Sequence, residues 1–130
     1  MHLKEKHKKL GKKFFLTFAI VWTIIIVTLS LLSAAKMSSI KMIDIVGIDK
    51  VGHIIFYTLL SYLWLHVFQE NKRSIVLIIF LCITFGFFIE ILQFYLSNGR
   101  SFELADIGAN GTGVFLGYIL FNKFKIKEHV

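Results

Sequence analysis

At 130 residues the chain has room for one domain, and 56% hydrophobic against 18% charged residues, with no proline, exclude an ordinary water-soluble fold of that size. The formal charge of +7 is concentrated in tails and loops, which fits membrane orientation and anionic headgroups and leaves no soluble basic module for nucleic acid. The single cysteine, Cys82, excludes an internal disulfide and a cysteine-based metal site, and its apolar surroundings mark it as an inert, membrane-facing thiol.

Residues 1–13 form a basic tail carrying Lys4, Lys6, Lys8, Lys9, Lys12 and Lys13. Phe14 to Leu32 holds no charge and is long enough to cross a bilayer at about 1.5 Å per residue. Ser33-Ala34-Ala35 has the small residues of a signal-peptidase site, but the apolar run before it exceeds the roughly 7–15 residues of a signal core, so a retained helix over 14–35 is expected. A mixed loop follows over 36–50, in which 40–48 reads as a short amphipathic segment at headgroup level. The second apolar run, 51–68, is entered through Gly52 and His53 and closes near His66, which is expected to snorkel at the inner interface. A polar turn, 69–73, leads to the third run, 74–96, which carries Glu90 and Gln93 in its last third. Asn98-Gly99 marks a tight loop over 97–104 containing Arg100. The fourth run, 105–121, is rich in glycine, and a basic tail closes the chain at 122–130.

The expected fold is therefore an all-α membrane protein, with four transmembrane helices in one compact bundle over 14–121. Four crossings put both tails on one side. Eleven of the fifteen Lys and Arg then fall on that side and four on the other, so the termini are expected in the cytoplasm.

This topology gathers the polar residues of the helices at one depth. Asp49, Lys50 and His53 lie at the outer end of the second helix, and Glu90 lies about 9 Å below the outer end of the third. Arg100 is in the outer loop, and Asp106 and Asn110 stand in the first turns of the fourth helix. Glu90 and Gln93 share a helix face, as do Asp49 and His53, and Asp106 with Asn110, Gly113 and Gly117. Ionisable groups in membrane-grade sequence mark a functional site, and three helices here turn such groups toward one outward-opening cleft. Lys50 and Glu103 read as solvated. Gly113 and Gly117 allow another helix to approach closely, within the chain or in a homo-oligomer. A metal site could draw on Asp49, His53, Glu90 and Asp106, but no His-x-x-x-His or similar pairing occurs, so neither metal nor cofactor is expected.

Asp49-Lys50-x-x-His53 before an aromatic helix, then Glu90-x-x-Gln93, then Arg100, Asp106 and Asn110 with following glycines, together resemble the VanZ-like family of small bacterial membrane proteins. The resemblance covers roughly 45–120. Members often carry a proline near the loop arginine, where this chain has Ser97-Asn98-Gly99. The resemblance implies a place in the bacterial inner membrane and a link to lowered teicoplanin sensitivity, or a more general role in the cell envelope.

Two function classes fit these residues. As an enzyme at the outer leaflet, the protein would act on a lipid or lipid-linked envelope precursor. His53 and Glu90 would then be base and acid, and Asp106 would orient His53. Lys50 and Arg100 would hold a phosphate or carboxylate, with Asp49, Gln93 and Asn110 completing the binding surface. As a binding protein, the same cleft would recognise a lipid headgroup or lipoglycopeptide without turnover. Proton-coupled transport ranks last, because the inner half of the bundle offers no polar path.

Overall fold

The computed structural model describes residues 2–36, 47–69, 71–96 and 103–127. It is all-helical, with α1 His2–Lys36, α2 Ile48–Val67, α3 Lys72–Leu96 and α4 Leu104–Lys127. Both terminal helices run further than the apolar pattern predicts. Lysine is a good helix former and no proline intervenes, so the basic flanks continue the helices they adjoin. The expected amphipathic segment at 40–48 and the loop with Arg100 lie outside the described residues.

Among the described residues, three helical stretches are long and apolar enough to cross a membrane: Leu10–Leu32, Lys72–Leu96 and Leu104–Phe124. The fourth expected span, α2, does not reach that mark by composition: Asp49 and Lys50 fall inside the helix, and His53, Tyr57, Thr58, Ser61 and His66 interrupt the apolar run. Of these, Tyr57, Ser61 and His66 are buried, so α2 turns polarity into the protein while α1 and α3 turn Phe14, Phe18, Val76, Phe80 and Phe88 outward.

The α2–α4 pair is the most extensive helix contact. Glycine permits it: a Cβ on Gly113 would fall 2.5 Å from the Ile54 carbonyl oxygen, and one on Gly117 would overlap Ser61 Oγ and the Thr58 carbonyl. In the single chain, then, α2 covers the face that the glycine spacing marks for close approach. Ser61 Oγ lies 3.2 Å from the carbonyl oxygens of Thr58 and Val114, which satisfies its hydroxyl inside the seam. Tyr57, Leu60, Leu65, Val114 and Phe121 form the core with Ile26, Ile78 and Cys82. Cys82 therefore faces inward, not toward lipid, since it shares its helix face with Ile78, Gly86 and Ile89.

Two indoles join α1 to α2, where Trp22 Nε1 donates to the Phe56 carbonyl (3.0 Å) and Trp64 Nε1 to Thr23 Oγ1 (3.1 Å). His66 does not snorkel: it stacks on Phe15 at 4.4 Å, meets Phe121 edge-on at 4.9 Å, and donates from Nδ1 to the Tyr62 carbonyl at 2.9 Å. That bond satisfies one ring nitrogen inside the helix, so the ring is held by aromatic packing.

Asn71 caps α3, its Oδ1 accepting from the Ser74 N–H at 2.8 Å. Asn71→Ala is expected to lower stability by about 1 kcal/mol, seen as a lower denaturation midpoint with an unchanged helical signal. A cavity of about 340 Å³ lies among α1, α2 and α3, lined by Thr23, Leu60, Trp64, Leu77, Cys82 and Phe85 among others. Its walls are almost wholly apolar, and none of the polar residues singled out in the sequence lines it.

Candidate functional site

The polar cluster begins where α2 begins. Gly47 sits at φ 112°, a left-handed conformation that costs a residue with a Cβ about 1–2 kcal/mol. Its carbonyl accepts from the Val51 N–H at 3.1 Å and so closes the first turn of α2. That turn carries Asp49 and Lys50, with His53 one turn further on.

A hydrogen-bonded chain then crosses three helices. His53 Nδ1 lies 2.8 Å from Asn110 Oδ1, and Asn110 Nδ2 donates to Glu90 Oε1 at 3.4 Å. An amide that gives its N–H to a carboxylate presents its oxygen to the imidazole, so Nδ1 carries the proton in this arrangement. Glu90 Oε1 is also 3.5 Å from Nδ1. On the opposite edge of the ring, Nε2 is 3.6 Å from Asp49 Oδ1. With Nδ1 as donor, a neutral His53 keeps its lone pair on Nε2, on the side of the exposed Asp49. Glu90 and Asn110 are buried, at 3% and 2% exposure, so the inner end of this chain is closed to solvent while Asp49 stands at its open end.

Gly86 of α3 makes this crossing possible. A Cβ there would lie 3.0 Å from Tyr57 Cε1 and 3.2 Å from both Cβ and Nδ2 of Asn110. Tyr57 is buried beside it, and its hydroxyl has no hydrogen-bond partner among the described residues.

A second group sits where α2 meets the start of α4. Lys50 Nζ donates to Glu103 Oε2 at 3.1 Å and lies 3.4 Å from Asp106 Oδ1. Two carboxylates, Glu103 and Asp106, thus hold the Lys50 ammonium. Asp106 is almost completely buried while Lys50 and Glu103 are partly exposed.

The structure thus brings together Asp49, Lys50, His53, Glu90, Asp106 and Asn110 from α2, α3 and α4. Gln93 is buried in the same face of α3, but its Nε2 donates to the Ser30 carbonyl at 3.2 Å and so ties α3 to α1. Arg100 lies outside the described residues. The residue hydrogen-bonded to His53 Nδ1 is Asn110, while Asp106 pairs with Lys50. Glu103, read from sequence as solvated, is the partner of Lys50. Gly86 and Tyr57 carry no charge or motif that a reading of the sequence would select, although Tyr57 follows His53 by four residues and so shares its helix face.

One ligand atom each from Asp49, His53 and Asp106 lie within 4.8 Å of one another. The helix topology already sets these three residues at one depth, and the fold adds that their ligand atoms come this close although Asp106 lies more than fifty residues away in sequence.

A family model described as VanZ/LLP1 matches residues 12–125, most of the chain. Neither the curated proteins nor the solved structures give a match.

Proposed function

The chain belongs to the VanZ/LLP1 family of membrane proteins, and on that premise we propose that it acts at the outer leaflet of the bacterial inner membrane on a lipid or lipid-linked envelope precursor. In this reading α2 crosses with the other three helices. Twenty residues reach about 30 Å, and the polar side chains that lower its hydropathy lie against protein, not lipid. The excess of Lys and Arg in both tails and in the 69–73 turn puts those segments in the cytoplasm and the polar cluster at the far face. Teicoplanin sensitivity enters through the same site, since a changed precursor at the outer face is what a glycopeptide would meet.

The observation that carries the proposal is the Glu90–Asn110–His53 chain. It fixes the imidazole, leaves Nε2 directed to the open end, and sets a buried carboxyl behind the ring. His53 Nε2 accepts a proton from the attacking group, and Glu90, 3.5 Å from Nδ1 and bonded through Asn110, stabilises the imidazolium that forms. Lys50, held by Glu103 and Asp106, meets the anionic part of the headgroup, with Arg100 as a second cation.

The test is lipid mass spectrometry on matched cells carrying the native protein or Glu90→Gln at equal membrane abundance. A lipid or precursor altered only by the native protein is expected, with a loss of about 10²–10⁴-fold in turnover for the variant. Identical lipid profiles, with the same lipid co-purifying with both proteins, would leave a binding protein instead.

A further inference from the structure

The carboxylates of the cluster outnumber its cations. Asp49, Glu90, Glu103 and Asp106 face Lys50, and counting Arg100 from the adjoining loop still leaves two more acidic than basic side chains. An anionic headgroup approaching this mouth meets a field of the wrong sign. We propose that Asp49, His53 and Asp106 form a site for one divalent cation of the zinc or manganese kind, which reverses that field and receives the substrate oxygen. The inference deepens the reading given above, because the ion serves the same headgroup at the same cluster.

Three observations support it. The first is the grouping within 4.8 Å, in which His53 Nε2 and Asp49 Oδ1 are 3.6 Å apart. Ligands at about 2.0–2.2 Å from a tetrahedral centre are themselves separated by about 3.4 Å, so that pair stands near the required spacing and Asp106 needs a shift of roughly 1 Å. The second is the state of His53. A metal-bound histidine typically gives its other N–H to a carbonyl or carboxylate, which fixes the tautomer and makes the ring a better donor. Asn110 and Glu90 do this from outside the ligand set, at 2.8 Å and 3.4 Å in succession. The third is the charge excess, which matches a dication at the edge of an apolar bundle. One imidazole and two carboxylates suit zinc or manganese better than the all-oxygen shells of calcium and magnesium, and three protein ligands leave a position open.

Lys50 is the ion's competitor. Its ammonium lies 3.4 Å from Asp106 Oδ1 and 3.1 Å from Glu103 Oε2. When an ion takes Asp106, Glu103 keeps the lysine. Asp49, His53 and Asp106 would hold the ion, which would acidify a bound water or hydroxyl so that its proton is lost to solvent and not to the Nε2 lone pair, and the substrate class is unchanged.

The experiment uses the full chain in nanodiscs, purified without chelator and dialysed against Zn²⁺ or Mn²⁺, with bound metal measured by mass spectrometry. One ion per chain is expected. Asp49→Asn, at an exposed position where folding should be unaffected, should weaken binding by about tenfold or more. Lys50→Met should tighten it, a gain that no folding defect can imitate. His66→Gln, in the aromatic packing at the other end of α2, should leave the metal bound per folded chain unchanged, whatever it costs in stability. Failure to bind either ion stoichiometrically overturns the site, as does an affinity that Asp49→Asn leaves unchanged or a loss on His66→Gln. Metal is read without turnover, so the two proposals fail separately. Bound ion with no lipid difference sinks only the lipid reading, and a lipid difference without bound ion sinks only the metal site.

Discussion

Gly117→Leu is expected to leave little folded protein. The position faces α2 where Ser61 Oγ and the Thr58 carbonyl already occupy the space of a Cβ. A serine hydroxyl could rotate away, but a backbone carbonyl inside a helix cannot, so the helices must separate. Overpacking of a tight core costs about 1–3 kcal/mol when side chains can adjust, and more when backbone must move. A small domain has only about 5–15 kcal/mol to lose. The separation would also undo the buried Ser61 bond to Val114 and pull Asn110 from His53. Size-exclusion chromatography of detergent extracts should show loss of the monodisperse peak, with a fall in thermal midpoint for whatever survives. Gly111→Ala is the matched control, because nothing lies within 4 Å of its added methyl. Removing a mid-helix glycine there should be neutral or stabilise by about 0.5–1 kcal/mol. Equal behaviour of the two variants would refute the close-packed α2–α4 seam.

Asn110→Ala should be the most damaging change within the site itself. It removes the acceptor from His53 Nδ1 and a donor from Glu90 in one step, leaving those two groups only their own 3.5 Å contact to make up the loss. Each hydrogen bond lost from a buried polar group costs about 1–3 kcal/mol. The variant should therefore lose both stability and any activity. The readout that separates positioning from mere stability is the nitrogen NMR spectrum of the His53 ring. The native protein should show the proton on Nδ1, and Asn110→Ala should show a mixture of tautomers. Asn110→Asp is a sharper probe, since it keeps an acceptor for His53 but sets a second carboxylate against Glu90, and one of the two must then hold a proton or move away. A native-like ring spectrum in Asn110→Ala would remove Asn110 from the chain that orients His53.

Much of this was legible in the sequence because the bilayer imposes a simple code. Apolar runs located all four helices, and the polar residues near one end of them fell into one cluster because their depth follows from counting residues along each helix. What depended on rotation about the helix axis was much less accessible. Gln93 and Glu90 share a face, yet one reaches α1 and the other α4, a division that turns on where the neighbouring helices stand. His66 looked like an interfacial residue from its position near the helix end, but Phe15, Tyr62 and Phe121 supply an aromatic cage that only tertiary structure assembles. Cys82 carries no mark of its inward orientation, because every residue around it in α3 is as apolar as lipid. The polar residues of α2 lower its hydropathy without hiding the helix, and the structure buries Tyr57, Ser61 and His66 among them. Glu103 is as exposed as its position suggests, but its pairing with Lys50 was not legible, because the two are adjacent in space and distant in sequence.

The α2–α4 seam also has a consequence for the order in which the protein is made. Helix α2 is complete at Val67, but the glycine that receives Ser61 is not synthesised until about fifty residues later. At roughly 5–20 residues per second, the ribosome needs several seconds to supply it. During that interval the inward face of α2, with His53, Tyr57 and Ser61, has only α1 and then α3 beside it. The polar cluster is therefore among the last parts of the molecule to exist, and a nascent chain arrested before α4 presents at most three helices and lacks Asp106 and Asn110.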